Sequence, residues 1–171
     1  MKALSIADRI SRALWLGLLI AWLPTLQAQA EIGRILVEKS ERRLLLLDEQ
    51  DDVIRSYQVA LGADPVGHKQ EEGDERTPEG RYVIDFRKAD SEYHRALHIS
   101  YPNQADRRWA DVRGVAPGGA IMIHGLPKGG EWIGWAHRAL DWTDGCIAVT
   151  NDEIEEIWSL VEDGTPIEIR P

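Results

Sequence analysis

The sequence predicts a single, mostly antiparallel β domain with one clear α-helix. Two observations carry that class. Short runs rich in Ile, Val and Leu recur between polar or glycine-containing turns, which is the pattern of strands. The apolar spacing of a helix shows clearly once, late in the chain, at Ile154, Ile157, Trp158 and Val161, where i, i+3, i+4 and i+7 make one stripe.

Taken in order, Arg34–Glu38 and Arg43–Leu47 read as strands joined by the polar turn Lys39-Ser40-Glu41-Arg42. Asp48–Asp52 turns the chain into a third strand, Val53–Ala60, whose Ile54, Tyr57 and Val59 favour the pleated conformation. From Leu61 to Arg76 the composition is glycine-rich and charged, so a loop is expected. Thr77-Pro78-Glu79-Gly80 makes a turn, with φ preset at Pro78 and free at Gly80. It leads into a strand at Tyr82–Phe86. Arg87–His94 reads as polar loop, Ala96–Ser100 as a short strand, and residues 104–119 as irregular. Ala120–Ile123 is a strand that ends at His124, and Leu126–Leu140 is a long glycine-containing loop. Thr150-x-x-Glu153 is a capping box for the helix. Gly164-Thr165-Pro166 stops that helix, and Pro166–Ile169 closes the domain as a strand.

The first thirty residues stand apart from this pattern. Lys2, Arg9 and Arg12 precede the apolar run Ala13–Leu23, and Ala28-Gln29-Ala30 supplies a small-x-small cleavage pattern. The expectation is a signal peptide at 1–30 and a catalytic domain at 31–171, exported to the periplasm or cell wall. No stable membrane insertion is expected after cleavage, since the run is short for a span; an uncleaved anchor is the competing reading. Without Lys2, Asp8, Arg9 and Arg12 the formal charge of −9 becomes −11, which argues against nucleic acid as a partner.

Cys146 is the sole cysteine, so no internal disulfide holds this fold. A lone thiol in an oxidising compartment is exposed to oxidation, and its retention needs a reason. One reason is burial as a small hydrophobe. The other is catalysis. A thiol attacks as thiolate and needs a base, and His124 stands in a His-Gly pair where a short apolar strand ends. Gly145 permits close backbone approach beside Cys146, and amide N–H groups in such a turn are natural oxyanion donors. His68, His94, His98 and His137 have no metal-ligand spacing among themselves or with the cysteine, so neither metal nor cofactor is expected. Trp142 could line a substrate groove. Tyr101 and Arg76 are further candidates for contact with substrate, Arg76 through a substrate carboxylate.

With these residues in hand, IMIHG followed by T-D-G-C and Ile147 resembles the YkuD-type L,D-transpeptidase domain, whose signature is a His, a gap, and [S/T]-H-G-C. ILVEKSERRLLLL, VALGADPVGHK, GDERTPEGRYVI, HISYPN and DGTPIEI are similar to further family segments, so the resemblance covers nearly all of residues 31–171. It implies a β-rich sandwich with the cysteine in a pocket under a flap. Cys146 takes the place of the nucleophile and His124 that of the base. The Gly125 carbonyl falls where the family orients the base, and the turn of Asp144, Gly145 and Cys146 where it places the oxyanion hole. The implied reaction is attack by Cys146 on the third residue of a peptidoglycan stem peptide, with loss of the terminal D-alanine. The acyl group then passes to an amine of another stem or of an envelope protein.

Two positions depart from the family pattern: Asp144 replaces the usual second His, and Ala148 an Arg or Asn. An unpaired carboxylate beside the sulfur would disfavour the thiolate, so Asp144 is expected either to turn outward or to pair with Arg138 or His137, pairing being the favoured reading. Two other functions fit the same residues. One is a hydrolase on this fold, with water as acceptor, cutting crosslinks or protein–wall linkages. The other is a wall-binding module whose cysteine is merely buried.

Overall fold

A computed structural model describes residues 31–171; the signal-peptide assignment at 1–30 lies outside the described residues. Eight strands follow in chain order: β1 (Arg34–Glu38), β2 (Arg43–Leu47), β3 (Val53–Gln58), β4 (Gly80–Ser91), β5 (His94–Ile99), β6 (Met122–His124), β7 (Ile147–Ala148) and β8 (Pro166–Arg170). Two α-helices interrupt them, α1 (Gln104–Arg113) and α2 (Asn151–Leu160), together with a 3-10 helix at Glu131–Ala139.

The strands hydrogen-bond in the order β3-β2-β1-β8-β4-β5-β6-β7. Five of the seven neighbouring pairs are antiparallel, and β1 with β8 and β6 with β7 run parallel. The long β4 belongs to both halves: Gly80–Val83 pair with β8, and Ile84–Ser91 with β5. Register shifts at Ile84/Phe86 and Lys88/Ser91 mark bulges, which bend and twist a strand. The two ends of the sheet then meet, since Ala60, just past β3, exchanges backbone hydrogen bonds of 3.0 and 2.8 Å with Ala148 of β7.

The folded-over halves enclose one core. Ile35, Val37, Leu44 and Leu46 from one half meet Ile84, Leu97, Ile99, Ile123 and Ile147 from the other, and α2 adds Ile154 and Ile157. Such burial is the dominant stabilising term, about 1.5–3 kcal/mol for each fully buried aliphatic side chain. The helix forms where the capping box placed it: Thr150 accepts from the Glu153 N–H, and Glu153 returns a bond to the Thr150 N–H.

Three expectations need correction. Arg87–Ser91 is strand rather than loop, because β5 supplies its pairing although its side chains are mostly exposed. Residues 104–113 are helical rather than irregular. That helix is held by a capping box between Asn103 and Asp106 and ended by Gly114 in the left-handed region, with only Asp106 and Ala110 buried. Its stabilisation therefore comes from its ends. The stretch expected as loop after Leu126 contains a 3-10 helix, kinked at Gly134 (φ 51°).

Candidate active site

The backbone places the two central residues before any side chain is considered. In the parallel pair β6–β7, His124 is level with Ala148. Side chains alternate along a strand, so Cys146, two residues before Ala148, shares the face of His124. Both residues, with Met122, Trp142 and Asp144, line one open cleft of about 450 Å³. The opposite faces, Ile123 and Ile147, are in the core. The pair is thus mounted on packed strands, which limits its freedom to drift.

His124 is buried, and its Nδ1 lies 2.7 Å from the Gly125 carbonyl oxygen. A carbonyl only accepts, so Nδ1 carries the proton and Nε2 is left with a lone pair. Burial is the main reason its pKa falls to about 4; the Gly125 bond opposes the fall and His137 adds to it. The Tyr93 ring lies 4.4 Å from the imidazole and the Trp142 ring 5.9 Å, centre to centre. His124 is therefore a neutral imidazole held in one tautomer between aromatic walls.

Cys146 sits in a turn built by its neighbours. Thr143 donates through Oγ1 to the Cys146 carbonyl at 2.7 Å and accepts from the Gly145 N–H at 3.2 Å. The Trp142 and Thr143 N–H groups both donate to the Leu61 carbonyl at 3.1 Å, and the Thr143 carbonyl accepts from Ala63. The loop at 61–76 is thereby laced to the turn. Two buried lysines anchor that loop: Lys39 bonds the Thr77 carbonyl and Glu79, and Lys69 bonds Asp74. Gly145 adopts φ +120°, and a Cβ there would meet the Arg76 carbonyl oxygen at 2.5 Å. Only glycine fits.

Burial pushes the Cys146 thiol up, and the Asp144 charge adds to this; the Met122 N–H and the Lys69 charge pull the other way. Both members of the pair are thus neutral at rest. The arrangement favours proton transfer from sulfur to imidazole during attack over a thiolate formed in advance.

The other sequence candidates divide. Trp142 lines the cleft as expected. Tyr101 does not: it is buried, and its hydroxyl donates to the Pro117 carbonyl at 2.9 Å. The Arg76 side chain is turned to Asp64 at 2.9 Å, although its backbone abuts Gly145. Asp144 is exposed on the rim of the cleft and pairs with neither suggested partner. Arg138 is held by Glu153 instead, and His137 is buried against Trp142. The Gly145 N–H, expected as an oxyanion donor, is engaged by Thr143, and the Cys146 N–H has no acceptor among the described residues. Sequence reasoning missed Tyr93 and Lys88, which line the cleft. They arrive on the β4–β5 hairpin, and nothing in its polar sequence signalled that the hairpin would lean over the thiol.

Fold and cleft together define a β-rich domain that carries a thiol and an imidazole on one cleft. The chain belongs to the YkuD family, the L,D-transpeptidase catalytic domain, whose sequence model matches residues 32–169. It is 33% identical over 132 residues to YafK of Escherichia coli (strain K12), covering 74% of this chain and 46% of that protein. Pgp2, the helical cell shape determining protein of Campylobacter jejuni, is similar at 27% identity and a TM-score of 0.60, covering 81% of this chain and 47% of that one. Bd1075 of Bdellovibrio bacteriovorus is similar at 27% identity and 0.60, covering 82% and 48%. An L,D-transpeptidase from Mycobacterium smegmatis, at 14% identity, a TM-score of 0.55 and 83% and 59% coverage, shares the fold. The chain spans about half the length of YafK, Pgp2 and Bd1075.

Proposed function

We propose that this chain is an exported cysteine L,D-transpeptidase that acts on peptidoglycan stem peptides in the periplasm or cell wall. One observation carries the reading. The Gly125 carbonyl fixes the Nδ1 proton of His124, leaving the Nε2 lone pair on the cleft that Cys146 lines. In the proposed reaction the sulfur attacks the carbonyl of the third stem residue while its proton passes to His124 Nε2. The Cys146 N–H faces the developing oxyanion. Collapse breaks the peptide bond, and His124 returns the proton to the departing D-alanine amine, leaving a thioester on Cys146. An acceptor amine, from a second stem or an envelope protein, then attacks the thioester and loses its proton to His124. The thiol leaves and is reprotonated. Family membership and the basic, apolar, Ala-Gln-Ala leader at the N-terminus support the substrate class and the address.

The test is incubation of residues 31–171 with purified muropeptides, with products identified by mass. Crosslinked dimers with free D-alanine are expected from the wild type. Cys146→Ala and His124→Ala should give neither, at unchanged circular dichroism. Cleaved crosslinks without dimers would move the assignment to a hydrolase. Wild-type turnover by Cys146→Ala would end the enzyme reading.

A further inference from the structure

Lysine pairing singles out one residue of the Cys146 cleft. Lys39, Lys69 and Lys128 each face a carboxylate: Glu79 at 2.8 Å, Asp74 at 2.7 Å and Asp90 at 3.4 Å. Lys88 is the other lysine among the described residues, and it has no carboxylate partner there. It is exposed, and it lines the cleft. The two carboxylates of that lining stand elsewhere. Glu92 is faced by Lys128 at 3.6 Å, and Asp144 belongs to the turn that enters β7.

The register fixes where this cation stands. Lys88 pairs with Ala96 across β4–β5, and Ala96 pairs with His124 across β5–β6. Directly opposed residues project from one face of a sheet, so Lys88 and His124 rise from the same face with the Ala96 methyl between them. Neighbouring strands lie about 4.8 Å apart, which sets these two side chains about 9–10 Å apart. Cys146, entering β7, lies on the other flank of β6. The order across the cleft is thiol, imidazole, ammonium.

That order has a direction in the proposed transfer. The sulfur holds the acyl carbon, and His124 gives its proton to the departing nitrogen, so the leaving residue extends from the imidazole toward Lys88. We infer that Lys88 binds the free carboxylate of that leaving residue, an inference that rests on the transferase reading. The cleft thereby selects a stem whose scissile bond precedes its last residue. A hydrogen bond at each end, with the amine-to-carboxylate span of one amino acid between, covers roughly 9 Å from Nε2 to Nζ. This is the separation that the register gives. A compact ammonium on a flexible four-carbon stem suits a single carboxylate. The formal charge of −9 disfavours anions over the surface at large, so a preference for a free acid has to arise locally.

The experiment compares two donors: a disaccharide tetrapeptide ending in D-alanine with a free carboxylate, and the same stem ending in D-alaninamide. The readout is kcat/KM, from the D-alanine or D-alaninamide released. The wild type should favour the free acid by roughly tenfold or more, as for one charge-assisted hydrogen bond. Lys88→Gln should bring the acid-to-amide ratio close to one, and Lys88→Arg, which keeps the charge, should retain most of the preference. A ratio near one in the wild type, or a ratio unmoved in Lys88→Gln, overturns the assignment. So does a wild type that tolerates the terminal amide but not amidation of a carboxylate on the third residue's side chain. Calorimetric binding of both donors to Cys146→Ala, with and without Lys88→Gln, gives the same ratio in the absence of turnover. A Lys88-dependent preference there, with no product from the wild type, keeps this subsite and loses the transferase reading. Turnover without the preference keeps the transferase and loses the subsite.

Discussion

Gly145→Ala is the substitution whose effect the geometry specifies most directly. The alanine methyl would stand 2.5 Å from the Arg76 carbonyl oxygen and 3.2 Å from Ile121 Cδ1, at a φ of +120°. A non-glycine residue held at such a φ costs about 1–3 kcal/mol. Forcing a backbone carbonyl aside in a packed region costs about the same again. The two together amount to about 2–6 kcal/mol, a large part of the 5–15 kcal/mol typical of a domain. At about 2–4 °C per kcal/mol, the melting temperature should fall by roughly 5–20 °C. Because Arg76 lies on the loop laced to the Cys146 turn, alkylation of Cys146 by iodoacetamide should change as well. Calorimetry and an alkylation time course check both. A melting temperature within about 2 °C of wild type, with unchanged alkylation, would show that the turn has room the structure does not grant it, and the account of Gly145 would fall.

Other expectations follow from the electrostatics. His124 has a native pKa of about 4 against an ordinary 6.5, so between those values the unfolded chain takes up a proton that the native state refuses. Stability is therefore full above about pH 6.5 and is lost as pH falls toward 4, by on the order of 3 kcal/mol. Urea titrations across that range should show the slope, and His124→Gln should flatten it. Asp144→Asn removes a charge that raises the thiol. The pH profile of Cys146 alkylation should move to lower pH, with a gain of less than tenfold at pH 7, since the carboxylate is solvated; an unmoved profile would show that Asp144 does not act on the sulfur. A carbapenem should add covalently to Cys146, giving an intact-protein mass adduct that Cys146→Ala lacks, and an adduct persisting in that variant would count against the cleft as the reactive site.

What could be read in the sequence follows where side-chain chemistry and local pattern coincide. β1 and β2 were legible to the residue because apolar runs end at charged turns, and α2 because its cap and stripe agree. Helix α1 was not, since it buries two residues and has no stripe; its signal was the Asn103/Asp106 box, followed by Gly114. β4 past Phe86 is strand only because β5 pairs with it, a tertiary effect that no local periodicity records. In the site, a sole thiol and a His-Gly pair stand out by type. Tyr93 and Lys88 are ordinary residues made relevant by a hairpin's position. Tyr101 and Arg76 were attractive by chemistry, but their side chains are committed to Pro117 and Asp64. The pairing suggested for Asp144 failed because Glu153 of the capping box already holds Arg138.

The placing of β8 sets the order in which this domain can be assembled. Its five residues lie between β1 and β4, so the strand nearest the start of the domain waits for a partner more than 130 positions away, Ile35 for Ile167. A chain delivered N-terminus first, whether from a ribosome or through a narrow pore, presents β1–β2–β3 as a meander with the β1 edge naked until Pro166–Arg170 emerge. Loop closure over that distance comes late and makes for slow folding. Throughout that interval the chain remains threadable, and its open edge invites the kind of pairing that leads to aggregation. The five residues Pro166–Arg170 thereby time the whole domain: until they arrive there is no closed sheet, and without one there is no firm seat for Cys146 and His124.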